Sequence, residues 1–286
     1  MNKMIDDLRI TVLVDNTVTR AGLLAEHGLS LWIEAGRRRI LWDVGQGEVL
    51  RHNAEKMGID LGTAESLVLS HGHYDHTGRL DDVLEEMPTA CLYLHPAAVK
   101  KKYSRCLAPP HRDVGMRAPA RMAARALGRD VIWTRHATEL FPGAHVTGQI
   151  PRRNDCKDTG GPFFLDPACR EADPLLDDQA LFFETDEGVV VVLGCAHAGV
   201  ANTLDYVFEL TNRRQILAVI GGTHLGGASS FRLEETIDAF ERYHVPIIAP
   251  CHCTGIDGTA TLWNRLPGRC VPCFVGAKFH FGDAAD

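Results

Sequence analysis

No run of apolar residues in this 286-residue sequence is long enough to span a bilayer: the longest, Gly188 to Ala196, falls far short of about 20 residues. Nor does a charged-then-apolar leader stand before the first apolar stretch, where Asp6 and Asp7 lie instead, so a cytoplasmic location is expected. Net positive charge is missing as well. The 30 Lys and Arg face 37 Asp and Glu, a formal charge of -7, which argues against a general nucleic-acid or membrane-surface binder. There is no phosphate-binding loop of the G-x-x-x-x-G-K-[ST] kind and no Ser or Cys nucleophile motif; Ser70 ends a strand without an activating context of its own. The nine cysteines, an odd number, do not read as a disulfide framework, and reduced thiols are expected. With 45% hydrophobic residues the chain can bury a substantial core, so disorder is excluded.

Histidine is plentiful instead, at 14 residues, several in glycine-flanked clusters. Ile10–Val14, Leu29–Ile33 and Arg39–Asp43 read as strands, followed by a helix from Glu48 to Met57. A strand Ser66–Ser70 then runs into His71-Gly-His-Tyr-Asp-His76 and a helix from Gly78 to Glu86, stopped by Pro88. The second half repeats this grammar. Strands Ala180–Thr185 and Gly188–Leu193 precede the loop of His197, strand Ile216–Ile220 precedes His224, and strand Pro246–Ala249 precedes His252. An α/β class follows, and its strand-end loops converge where such proteins bind ligands.

The segment 96–157 carries 13 basic and 4 acidic residues, against 17 and 33 elsewhere. It reads as a basic insertion or lid within one domain, and its charge points to a small anionic substrate. Lys100-Lys-Lys102 with Arg105, and Arg152-Arg153, are candidate anion clamps, Lys101 and Arg152 foremost, although charge runs are more often solvated faces.

Histidines two apart in an extended loop point the same way, and Gly72 lets the backbone turn tightly, so His71 and His73 would grip one ion. Asp75 and His76 would hold a second. A structural zinc site uses four closed ligands, mostly thiolates, whereas this His and Asp set leaves room for water and points to catalysis. His224 would handle substrate or protons, or else be a satisfied loop histidine; His95 reads as structural. Cys251-x-Cys253 and Cys270-x-x-Cys273 could hold a zinc or an iron–sulfur cluster, though buried thiols are the plainer reading.

His71-x-His-x-Asp-His76 on a strand-loop-helix frame resembles the signature of the metallo-β-lactamase fold superfamily. Asp43 is similar to its early structural Asp and His252 to its last metal-binding His. The resemblance implies an αββα sandwich of two mixed β-sheets with helices outside, and a loop bearing His27 that overhangs the metals. Val14-Asp-Asn-Thr17, Glu26-His-Gly-Leu-Ser30, Gly194-Cys-Ala-His-Ala-Gly199, Ile150-Pro-Arg152 and Gly221-Gly-Thr-His-Leu225 are similar to the dihydropteroate-synthase-like branch. That branch holds many metal-dependent hydrolases and an archaeal enzyme joining a dihydropterin methyl diphosphate to a ribofuranosylaminobenzene phosphate. One departure stands out: relatives carry a bridging Asp where this chain has Cys195, and an upstream His where it has Asp177-Asp178. His197 is expected to be a ligand, Cys195 a thiol beside the ligands, and Asp178 a substitute ligand.

The expected cofactor is therefore one or two divalent ions, zinc first, manganese or iron otherwise. Such an ion brings the pKa of its bound water from about 15.7 to near 7, with Asp75 orienting that water. Hydrolysis of a phosphate-containing or ester-type substrate is expected first. Transfer of a dihydropterin methyl group to an aromatic amine is the alternative, and a non-catalytic metal-binding module the third. No nucleic acid or membrane partner is expected; a homo-oligomer is left open.

Overall fold

The computed structural model describes residues 4–153 and 158–282, so the last four residues of the basic segment 96–157 lie outside it. Branched apolar residues cluster at 8–14, 29–33 and 40–41, where the chain forms β1 (Asp7–Val14), β2 (Ser30–Ala35) and β3 (Arg38–Trp42). These pair antiparallel, with Ile10 opposite Ile33 and Ile33 opposite Ile40. Helix α1 (Leu50–Lys56) crosses over to β4 (Ser66–Val68), and α2 (Tyr74–Thr77) and α3 (Leu80–Glu86) lead to β5 (Cys91–Leu94), both strands parallel to their neighbours. Then come β6 (Tyr103–Ser104), β7 (Arg112–Asp113), α4 (Ala118–Ala126), β8 (Val131–Trp133), β9 (Thr138–Phe141), β10 (Ala144–Val146) and β11 (Phe163–Phe164). The second half supplies β12 (Leu181–Glu184), β13 (Val189–Leu193), α5 (Val200–Leu210), β14 (Ile216–Gly222), α6 (Ser230–Arg242), β15 (Ile247–Cys251), α7 (Gly255–Arg265) and β16 (Lys278–Gly282).

One sheet runs β16-β1-β2-β3-β4-β5-β8 and the other β15-β14-β13-β12-β10-β9. Side chains alternate across each strand, so both sheets bury two faces. Ile10, Ile33, Trp42, Phe183, Val190 and Val192 fill the layer between the sheets. Leu41 and Leu67 pack outward onto α1 and α3, and Val191 and Val219 onto α5 and α6. The unbroken apolar run of β13 follows from this double burial. The expected αββα sandwich is thus the observed architecture.

Two local features differ from expectation. A separate turn of helix, α2, precedes α3, because Thr77 Oγ1 donates to the carbonyl of His73 while His73 stays extended. The basic segment is also woven into the sandwich: it supplies β8 to one sheet and β9 and β10 to the other. Its residues nearest the strand-end loops are β6 and β7, which join β11 in a small third sheet. Among the described residues no helix is long and apolar enough to cross a membrane.

Candidate metal centre

The loops after β4, β13, β14 and β15 meet between the two sheets' edges. Close approach of the chains is what their glycines allow. A Cβ on Gly194 would lie 2.1 Å from Ser70 Oγ, and one on Gly72 would lie 2.1 Å from the carbonyl oxygen of Ala98. Gly72 is therefore needed for its lack of a side chain against Ala98, and a tight left-handed turn is not the reason.

His71 Nε2 and His73 Nδ1 stand 2.9 Å apart, and the His197 ring centre is 4.8 Å from that of His71 and 5.0 Å from that of His73. His197 Nδ1 donates to the carbonyl of Thr159 at 2.6 Å, which turns its Nε2 inward. On the other side, His76 Nδ1 donates to Asp43 at 2.7 Å and His252 Nδ1 to Asn16 Oδ1 at 2.9 Å, leaving their Nε2 atoms 3.1 Å apart. Asp75 Oδ2 lies 3.6 Å from His252 Nε2 and 3.1 Å from His27 Nε2. Cys195 Sγ is 3.2 Å from His76 Nε2, between the two groups. The His224 ring lies 4.4 Å from the His197 ring, inclined to it by 46°.

Electrostatics favour neutral, ligating imidazoles. Burial, reinforced by neighbouring imidazoles, pulls His71 and His197 well down; burial together with the nearby Lys102 charge brings His73 to about 3. His252 falls to about 4, mainly through burial. His76 is the exception: burial would lower it, but the Asp43 charge and hydrogen bond raise it to about 9. Asp75 is held low despite burial by the His27 hydrogen bond and the surrounding imidazoles. Cys195 is pushed well up by burial and by Cys253.

These residues fit divalent ions. The Nε2 atoms of His73 and His197 are buried without a hydrogen-bond partner among the described residues, a state that costs about 1–3 kcal/mol per group unless a cation takes the lone pair. Within ligand reach of one another are His71, His73 and His197, and separately His27, Asp75 and His252; Cys195 joins His71 and His76, or His252 and Cys253. A cavity of about 380 Å³ opens onto both groups.

Comparison with known proteins settles the family. The model of the metallo-beta-lactamase superfamily matches residues 24–104, which include Asp43 and His71 to His76. An uncharacterized protein of Methanocaldococcus jannaschii is 31% identical over 261 residues, 88% of this chain and 93% of the relative. The chain belongs to the metallo-beta-lactamase superfamily. A second protein of the same archaeon, named 7,8-dihydropterin-6-methyl-4-(beta-D-ribofuranosyl)-aminobenzene-5'-phosphate synthase, is 27% identical over 88% of this chain and 89% of its own. The crystal structure of Tm1679, a metal-dependent hydrolase of the beta-lactamase superfamily, is 28% identical with a TM-score of 0.80, covering 96% of this chain and 100% of that one.

Within this metallo-beta-lactamase fold, nine residues expected at the site come together: His27, His71, His73, Asp75, His76, Cys195, His197, His224 and His252. Three do not. Asp178 lies beneath the His197 loop, accepting from the Ala198 N–H at 2.7 Å, and burial raises it to about 6. Arg152 donates to the carbonyl of Pro174, and Lys101 borders a different depression with Arg121 and Glu171. Lys102 is fully buried between Asp173 and Asp177, and Arg105 donates to the Cys169 carbonyl. Cys253 belongs to a ligand group, whereas Cys251, Cys270 and Cys273 belong to none among the described residues. Sequence reasoning passed over Arg112, which lines the cavity, hydrogen-bonds the Tyr74 hydroxyl and lies 4.6 Å over the Tyr74 ring. Its one signal was membership of the basic segment.

Proposed function

We propose that this protein is a divalent-metal enzyme that cleaves the bond to a phosphate or diphosphate group of a small anionic substrate. The observation that carries this reading is the pair of ligand groups, His71/His73/His197 and His27/Asp75/His252, both reaching one cavity, with the Nε2 atoms of His73 and His197 in the first group buried without a hydrogen-bond partner among the described residues. His76 and Cys195 stand between the groups. Two ions, zinc before manganese or iron, fit this donor set of imidazole, carboxylate and thiolate. Ions bound there supply Lewis acidity, polarising the phosphoryl or ester oxygens and acidifying water.

The chain's own residues do the rest. Arg112, set against Tyr74, faces the anionic part of the substrate from the cavity wall and offers a planar guanidinium to phosphate oxygens. His224 lines the same cavity beside His197, where its ring is placed to handle a proton of the incoming nucleophile. His27, at the mouth with Nε2 3.1 Å from Asp75 Oδ2, would share an ion with that carboxylate.

Water as acceptor gives hydrolysis. An aromatic amine as acceptor gives the second reading, favoured by the relative named as a pterin-linked synthase and spanning most of both chains. There the amine nitrogen forms a bond to the pterin methyl carbon, the carbon–oxygen bond breaks, and diphosphate leaves with the electron pair.

The test joins elemental analysis to product analysis. Protein purified without added metal and without air should carry close to two equivalents, and His73→Ala should lose at least one while keeping its circular dichroism spectrum. Diphosphate release from a dihydropterin methyl diphosphate that needs 4-aminobenzoate indicates transfer; release with water alone indicates hydrolysis. Unchanged metal content in His73→Ala would sink the ligand assignment.

A further inference from the structure

A second cavity, about 520 Å³, lies against the first. Asn16, His252 and Gly255 line both, so the two form one continuous depression with the histidines at one end. Its chemistry is different. Pro250, Ile256, Ala260, Trp263, Val271 and Phe274 give the wall an apolar side, beside Asn16, Thr17 and His252, and among the described residues it holds no lysine or arginine. Its single carboxylate, Asp15, already accepts from the backbone N–H groups of His252 and Thr17, at 2.8 Å each.

Helix α7 carries the decisive pattern. Its inner face buries Gly258 and Leu262 in the core. Its outer face presents Ile256, Ala260 and Trp263 at i, i+4 and i+7 with Thr259 among them, a largely apolar stripe of the spacing a helix uses to bury a face. Yet Ile256 is 86% and Trp263 46% exposed. A stripe of this kind marks a binding surface.

We propose that this second cavity seats an uncharged, flat aromatic ring of the substrate, stacked on Trp263, while the phosphate-bearing end of the same molecule lies in the histidine cavity. This rests on the reading of the histidine cavity as the reaction centre. Three observations select the ring over a second copy of the chain. The stripe is continuous with the histidine cavity, the volume lies in the range of about 300–1,000 Å³ typical of small-molecule sites, and an apolar wall with one occupied carboxylate rejects phosphate. The charge of the substrate is thereby sorted: anionic oxygens toward Arg112 and the ligand groups, ring toward Trp263.

The experiment measures binding, with no turnover required. Equilibrium dialysis of metal-loaded protein with 6-hydroxymethylpterin, an uncharged ring without phosphate, should show saturable binding. Trp263→Ala, which removes the stacking surface, and Ala260→Trp, which fills the cavity, should each weaken it by about tenfold. Metal content, inorganic diphosphate binding and oligomeric state should stay as in the wild type. Absence of pterin binding to the wild type, or equal affinity in both variants, would overturn the proposal. So would a change of oligomeric state in the variants with pterin affinity intact, because the stripe would then be a subunit contact. Failure of the reaction-centre reading looks different: diphosphate would not bind and no substrate would turn over, whatever the pterin result.

Discussion

Asp43 and His76 form an ion pair in the interior, Oδ2 to Nδ1 at 2.7 Å, with both side chains fully buried. The same carboxylate accepts from the Ser70 N–H and hydroxyl, each at 2.7 Å, so it ties the end of β3 to the β4 loop and to α2. Its consequence is directional. With Nδ1 fixed, His76 Nε2 can point only toward Cys195 and His252. Asp43→Asn keeps the shape but puts an amide N–H against a donor, and should weaken metal binding by about 10–100-fold while leaving the circular dichroism spectrum unchanged. Competition with a chelator checks this; equal metal retention in variant and wild type would show that His76 needs no such anchor.

Lys102 offers a prediction about stability. Its ammonium, fully buried, lies 2.8 Å from Asp173 and 2.7 Å from Asp177, and Asp177 in turn accepts from the Gly72 N–H between the two histidines. Burial opposes both charges, but Lys102 is held above and Asp177 below its usual range by their attraction. Lys102→Ala leaves two carboxylates unpaired in the interior and should cost about 3–5 kcal/mol. Urea unfolding measures it, and a loss under 1 kcal/mol, about the value of an exposed pair, would mean that water reaches the carboxylates.

Cys195 is expected to decide which metal the centre prefers. Its sulfur lies against His76 and within ligand reach of both groups, where relatives are expected to carry Asp. A thiolate favours zinc over manganese, and a carboxylate reverses that preference. Cys195→Asp, grown with both metals supplied, should therefore carry a higher manganese-to-zinc ratio than the wild type, and Cys195→Ala should carry less total metal. If the ratio is the same in all three proteins, the thiol touches no ion.

What the sequence revealed and what it hid divide along chain distance. His71, His73, Asp75 and His76 sit in six consecutive residues, so their convergence needed only a strand end and a turn. His197, His224 and His252 were legible because each follows an apolar strand whose class fixes which edge it reaches. Lys102 was not: in a run of three lysines only the carboxylates of Asp173 and Asp177, some seventy residues on, single it out for burial. Arg112 was hidden likewise, since β7 is two residues long and shows no periodicity. Two of the basic residues chosen in their place, Lys101 and Arg152, face elsewhere because β8, β9 and β10 draw the intervening chain into the sheets.

Without metal the centre should be unstable to acid, and the sign can be worked out group by group. His71, His73, His197 and His252 titrate below their unfolded value, so between about pH 4 and 6.5 the unfolded chain binds protons that the folded chain refuses. His73 and His252 each take away about 1.4 kcal/mol of stability per pH unit of descent in that window, and His71 and His197 act in the same direction. Asp15 and Asp178, both raised by burial to about 6, act in the opposite sense over pH 3.8 to 6, because the folded chain holds their protons. Four against two leaves a net loss as pH falls. His76, raised to about 9, contributes stability that is full below pH 6.5 and fades as pH rises to 9. Stability of the chelator-treated protein should therefore fall as pH drops below about 6.5. Urea unfolding from pH 4.5 to 9 tests it; a curve that is flat or rising from pH 6.5 down to 5 would mean that these histidines are already protonated in the folded chain, and hence that they are poor ligands.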